Sequence, residues 1–169
     1  MRKILLTSAA MATAMLLSAN VNAQAPAPTP PAPPPGYGET INLEQAKKAA
    51  DAAEAEMKKN NWTMAIAISS PSGDLVYFRK LDNTQYGSIA IALHKAKAAA
   101  IFKRPTKVFE DRIAQGGAGI AAMTLDGIIG SEGGIPIVVG GKIIGAMGCS
   151  GGTGQQDGVA CQAGVNALK

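Results

Sequence analysis

The element order legible in this chain is helix, strand pair, helix, short helix, strands and helix, which predicts an α+β fold. Three observations carry that reading. Residues 43–57 repeat apolar side chains at helical spacing. Residues 63–80 form two β-rich runs around Pro71-Ser72-Gly73-Asp74, a turn by composition. The glycine-dense stretch from Gly130 to Asp157 sets two β-branched runs around Gly140-Gly141, and paired glycines supply the positive φ angles of a tight hairpin.

The chain opens with Arg2-Lys3, an apolar run from Ile4 to Leu17 and small residues ending at Ala23, the pattern of a secretory signal peptide over residues 1–23. The run is too short to span a bilayer. An uncleaved N-terminal anchor is the alternative, and the absence of cysteine at the cleavage point argues against a lipid anchor. Residues 24–38, rich in proline and alanine, read as an extended linker with no stable membrane span left beside it. A folded domain over 39–169 follows, with a periplasmic or secreted location.

The first predicted helix has Asn42 as N-cap and Leu43, Ala46, Ala50, Ala53 and Met57 on one face; it stops at Asn60-Asn61. Thr63–Ser69 and Leu75–Lys80 make the first hairpin. A helix from Gln85 to Lys103 shows two apolar stripes. One is Ile89, Leu93, Ala96 and Ala100; the other is Gly87, Ala90, Ile91, His94, Ala98 and Ile101. One stripe can face a sheet, and the other needs a second partner: a subunit, a helix or a flat apolar ligand. Arg104-Pro105 ends this helix and Thr106 is the expected cap of a short one through Ile113. Ile120–Thr124 reads as a third strand. The Gly140-Gly141 hairpin supplies two more, and a last helix enters near Asp157, its expected N-cap, and runs to Leu168.

Composition excludes some functions. Without residues 1–23 the chain keeps fourteen of its sixteen basic residues against twelve acidic ones, a balance that gives no reason to expect nucleic acid. One histidine and no acidic cluster at ligand spacing supply no metal site. Ser131, Ser150 and Thr153 are available nucleophiles, but the histidine lies on a distant helix, so no catalytic residue is assigned. Glu132 is the carboxylate to suspect if there is chemistry. In an oxidising compartment Cys149 and Cys161 are either a disulfide, bridging a strand end to the helix packed over it, or two buried thiols.

Two segments carry a family resemblance: KAKAAAIFKRPT at Lys95–Thr106 and GGIPIVVGGKIIGAMGCSGGTGQQD at Gly133–Asp157. They resemble the GlcG and HbpS family, the haem-degrading domain family, over about residues 39–169. The resemblance implies a profilin-like five-stranded antiparallel sheet with packed helices, and a homo-oligomer. It also implies a link to haem, to corrinoid accessory domains or to glycolate-utilisation operons. The chain departs from the family pattern at Cys149, where an aliphatic residue is usual, and at Gly158, where an acid is usual.

Haem requires an axial ligand, an apolar slot and cations for its propionates. His94 is the candidate ligand, with Ile91, Ala98 and Ile101 as the slot and Lys95, Lys97, Lys103 and Arg104 as nearby cations. The other reading of His94 is a packing or hydrogen-bonding residue at a subunit contact. Ser150, Gly151, Gly152 and Thr153 form a candidate anion-binding loop at a helix N-terminus, with Lys142 the nearest cation; its plain reading is a tight strand-to-helix connection. The leading expectation is an exported, noncatalytic haem-binding or sequestering module that assembles into homo-oligomers. The alternative is a binder of, or enzyme acting on, a small organic acid through the glycine-rich loop.

Overall fold

The computed structural model describes residues 32–169; the expected signal peptide and most of the expected linker lie outside the described residues. The described elements are β1 (Gly36–Tyr37), α1 (Leu43–Lys59), β2 (Ala65–Ser69), β3 (Leu75–Lys80), α2 (Gly87–Ile101), α3 (Lys107–Ala114), a 3-10 segment (Gly117–Thr124), β4 (Gly134–Val139), β5 (Lys142–Ser150) and α4 (Gly154–Asn166). None of the described helices is long and apolar enough to cross a membrane.

The five strands form one sheet, the α+β architecture expected. β5 is its spine, with β4 antiparallel along one side and β2 antiparallel along the other, and β3 closes the far edge against β2. The fifth strand is not the one expected. Residues 36–37, assigned to the linker, pair in parallel with Lys142 and Ile143 of β5, whereas 120–124 lie in the 3-10 segment. A strand at 120–124 would need a free sheet edge. β4 does not offer one, because Thr106 donates its backbone N–H to Gly134 O and accepts the Gly134 N–H on its hydroxyl. Pro136, two residues along β4, has no N–H to offer a further strand.

Local chemistry explains the element ends. Asn42 caps α1 in a full capping box with Gln45, as expected, and Asn61 turns the chain out of the helix at φ 56°. Gly140 and Gly141 take φ 55° and 74°, the positive pair the β4–β5 hairpin requires. The cap of α4 is Thr153, reciprocally bonded to Gln156, so Asp157 is a buried residue inside the helix rather than its N-cap. Thr106 does not cap α3 with its side chain; its hydroxyl donates to Ser131 O (2.6 Å) and ties the start of α3 to the entry of β4.

Side chains alternate across β2 and divide the core in two. Ile66 and Ile68 face α1 and α4 together with Ile137 and Met147. Ala65 and Ala67 face α2, where they meet Ala92 and Ala96. This second layer is built almost without large side chains, so α2 sits close on the sheet. A methyl at Gly148 would run into Ala92 O and reach 2.5 Å from Ala96 N, and one at Gly134 would collide with Lys95 O. The sheet-facing stripe of α2 is therefore Ser88, Ala92, Lys95, Ala96 and Ala99, which lies between the two stripes the sequence predicts.

Candidate functional site

Lys95 points inward from α2 and is 1% exposed, as buried as any residue of the core. The glycines that let α2 approach also open a gap in the sheet layer, and the lysine reaches through it to Asp157 on α4. Its Nζ donates to Asp157 Oδ2 at 2.7 Å, with both side chains at most 3% exposed. Asp157 Oδ1 also accepts the Gly152 N–H (3.0 Å). Burial pushes the Asp157 carboxyl above its ordinary value against the opposing pull of Lys95 and the Gly152 amide. Gly133 roofs the pair at φ 123°: a Cβ there would lie 2.7 Å from Asp157 Cβ and 2.9 Å from Lys95 Nζ. Lys95 is thus a structural cation and not one available to a haem propionate.

The anion expected in the glycine-rich loop is supplied by the chain itself. Gly152 N–H is held by Asp157, and Thr153 N–H donates to Gln156 Oε1 at 2.9 Å. The Ser150 hydroxyl donates to Ser88 Oγ at 3.3 Å, and Gly151 takes φ 156° where a Cβ would collide with Thr63 O and Met64 Cα. The plain reading, a tight strand-to-helix connection, describes this loop, and a small organic acid would find its amides engaged. Lys142 lies at the far end of β5, at the start of the hairpin.

His94 has the opposite character. It is exposed and has no hydrogen-bond partner among the described residues, so it is not a packing histidine within the monomer. It lines a groove of about 460 Å³ between α2, the β2–β3 turn and residues 126–127. Ala67, Leu75, Ala90, Leu93 and Ala96 give the groove an apolar lining, Lys97 places a cation at it, and Asp126 contributes one carboxylate. Two glycines with positive φ shape the walls. Gly73 (φ 90°) packs on the Lys97 stem and Gly127 (φ 81°) on Ile101, each position where a Cβ would crowd α2.

The other predicted haem contacts separate. Ile91 is at the surface outside the groove lining, and Ala98 is buried. Ile101 supports the glycine walls from behind. Arg104 donates its Nε–H to Phe102 O (2.9 Å) and lies over the Phe109 ring, beyond the groove. Lys103, similarly, sits over the Tyr37 ring. Of the cations considered, Lys97 alone lines the groove. Sequence reasoning does not bring Leu75, at the start of β3, or Asp126 and Gly127, in a turn, to this groove, because no periodicity reports their position against α2; Leu93 and Ala96 stand in the expected stripe that lacks His94.

Two further features complete the chemistry. Cys149 and Cys161 form a disulfide joining β5 to α4, with Cα atoms 5.7 Å apart and both residues fully buried. Glu132 rests against Gly158, where a Cβ would come 2.5 Å from its Oε1, and its backbone N–H donates to Glu110 Oε2 at 2.6 Å. Burial raises the Glu132 carboxyl above its ordinary value, opposed by Lys107 and reinforced by Glu110 and Asp111. No cluster of three or more histidine, cysteine or acidic side chains suited to a metal ion occurs among the described residues.

Residues 41–166 match the model of a family described as haem degrading protein HbpS-like. The chain is 34% identical to protein GlcG of Escherichia coli (strain K12) over 110 residues, 65% of this chain and 81% of GlcG. Its structure is similar to that of a double mutant of Streptomyces reticuli HbpS, with a TM-score of 0.71 and 26% identity over 85% of this chain and 99% of the other. A PduOC:haem complex shares the fold at a TM-score of 0.70 and 21% identity, covering 77% of this chain and 96% of that one.

Proposed function

The chain belongs to the HbpS-like family of haem-degrading proteins, and from that premise we propose that it is an exported haem-binding protein that seats haem in the groove beside His94. The observation that carries the reading is the groove itself. It brings together an exposed, unpartnered imidazole, an apolar lining and one cation, which are the three requirements of haem retention. His94 would hold the iron through an imidazole nitrogen, Lys97 would meet a propionate, and the small side chains of Ala67, Ala90 and Ala96 would leave room for a flat ring. The iron supplies the redox and ligand chemistry when bound. The protein's part is to hold the group and shield one side of it.

The activity proposed is binding or sequestration rather than turnover, because ligand, slot and cation serve retention. The exported location rests on the N-terminal signal pattern and agrees with the Cys149–Cys161 disulfide, since such bonds persist in oxidising compartments. Assembly into homo-oligomers is part of the same proposal; exposed Tyr86 and Ile91 on and beside α2 are apolar surface such an assembly would cover. The test is titration of the oxidised mature protein with hemin, read in the Soret band. Saturable binding that weakens at least tenfold in His94→Ala and less in Lys97→Gln supports the assignment. Binding unchanged by His94→Ala rejects the ligand role, and no saturable binding rejects the function.

A further inference from the structure

The groove is tied to the disulfide by a continuous set of contacts across the sheet. Cys161 is bonded to Cys149 on β5, and Asp157 lies one helical turn before Cys161 on α4. Asp157 is the partner of Lys95, and Lys95 is the residue next to His94 on α2. Hydroxyls of Tyr37, Ser69 and Ser150 bond to Ala100 and Ile101 O, Ala96 O and Ser88 Oγ, but the contact face of α2 is mainly alanine against glycine and alanine, and Lys95–Asp157 is its one fully buried ion pair among the described residues. A desolvated ion pair tolerates little displacement, because separation leaves two buried charges uncompensated. The placement of α4 therefore bears directly on the placement of α2.

From this we infer that formation of the Cys149–Cys161 bond sets the haem affinity of the His94 groove, so that the protein reaches its full affinity only after oxidative folding outside the cytoplasm. The inference rests on the haem reading above for its ligand, and on the contacts alone for its mechanism. Two thiols are oxidised by the disulfide of a dithiol-type oxidant. The Cys149–Cys161 bond forms, the oxidant's bond breaks, and the two protons and the electron pair leave on the oxidant as its two thiols. Both cysteines are fully buried, so the finished bond is out of reach of thiol reductants while the domain stays folded. The device is set once, on folding, and does not follow later changes in redox poise.

Oxidised wild type is compared with Cys149→Ala/Cys161→Ala and, separately, with Asp157→Asn carrying the intact disulfide. Hemin affinity and amide hydrogen exchange of α2 are the two readouts. The inference predicts that the double variant binds hemin roughly fivefold or more weakly, the lower range for coupled sites, and exchanges the amides of residues 92–100 faster. Asp157→Asn reproduces the faster exchange although its disulfide is present. Met57→Ala, a buried core change on α1, serves as the control for general loss of stability and leaves hemin affinity unchanged while it lowers the denaturation midpoint. Equal affinity and equal α2 exchange in the oxidised and disulfide-free proteins overturn the inference. Equal exchange in Asp157→Asn and wild type removes the proposed route, and affinity lost equally in Met57→Ala reduces the effect to stability. If oxidised wild type binds no hemin, the haem reading fails, and the exchange comparison alone decides whether the disulfide controls α2. The Asp157→Asn comparison stands even if the disulfide-free protein does not fold.

Discussion

Lys95→Met tests whether the sheet is held between its helical layers by a buried ion pair. Methionine keeps the length and the apolar stem but removes the charge, leaving Asp157 with backbone amides of the glycine-rich loop, Gly152 foremost, as its partners. Stripping one member from a buried pair costs about 3–5 kcal/mol, and the surviving amide bond places the expectation near the lower figure, about 3 kcal/mol. A domain of this size is stable by about 5–15 kcal/mol, so the variant should fold but lose a substantial part of its margin. With a urea dependence of about 1–3 kcal/mol per molar, the midpoint should fall by about 1–3 M. Asp157→Asn should be comparably costly, because it strands the ammonium. The double variant Lys95→Met/Asp157→Asn should recover about 2 kcal/mol relative to the sum of the single losses, since no uncompensated charge remains. Equilibrium urea unfolding followed by circular dichroism measures all four proteins. A Lys95→Met cost below about 1 kcal/mol, or strict additivity in the cycle, would refute the reasoning.

Other consequences follow from the same geometry. The Glu132 carboxyl is raised above its ordinary value of 4.5 in the folded protein by burial. Unfolded Glu132 therefore ionises first as pH rises, so its cost to folding is absent below that value and grows through the interval up to the folded pKa. Glu132→Gln should accordingly raise Tm at pH 7, with the difference closing toward pH 4; a difference constant across that range would contradict the assignment. Cys149→Ala/Cys161→Ala opens a bridge of sequence separation 12 and should cost about 3 kcal/mol, read as a lower urea midpoint relative to the oxidised wild type. Gly148→Ala should cost at least about 1–3 kcal/mol, because its methyl would enter the backbone of α2 at Ala92 and Ala96; wild-type stability in that variant would show that α2 is not seated as described.

Local signals in the sequence identified most of the fold. Asn42, the Pro71–Asp74 turn and the Gly140-Gly141 pair each act through their own backbone chemistry, and each marks the boundary it was expected to mark. Failures occur where a distant partner decides. Residues 120–124 have strand-like content but do not extend the sheet beside β4, whose outer side is occupied by Thr106 at Gly134 and lacks an N–H at Pro136. Gly36–Tyr37 has no strand signal of its own and is recruited by β5. On α2, alanine gives little contrast between inside and outside, so the phase of its stripes was ambiguous. Lys95 falls in a gap between the two expected stripes and reads there as a cation for a haem propionate. Its actual place depends on Asp157, 62 residues later in sequence, and on glycines in two strands. His94 was identified as the candidate ligand by being the chain's one histidine; its groove was not, because two of the walls are turns.

That single histidine also gives the most direct test of the site. In tag-free protein labelled with ¹⁵N-histidine, all imidazole nitrogen signals belong to His94. Zinc protoporphyrin, a diamagnetic stand-in for haem with one axial position to fill, is added to the oxidised protein. The account predicts that one imidazole nitrogen resonance moves to a metal-bound position in step with porphyrin binding, and that Lys97→Gln weakens the binding without abolishing the shift. Porphyrin binding that leaves both His94 imidazole resonances where they began would contradict it.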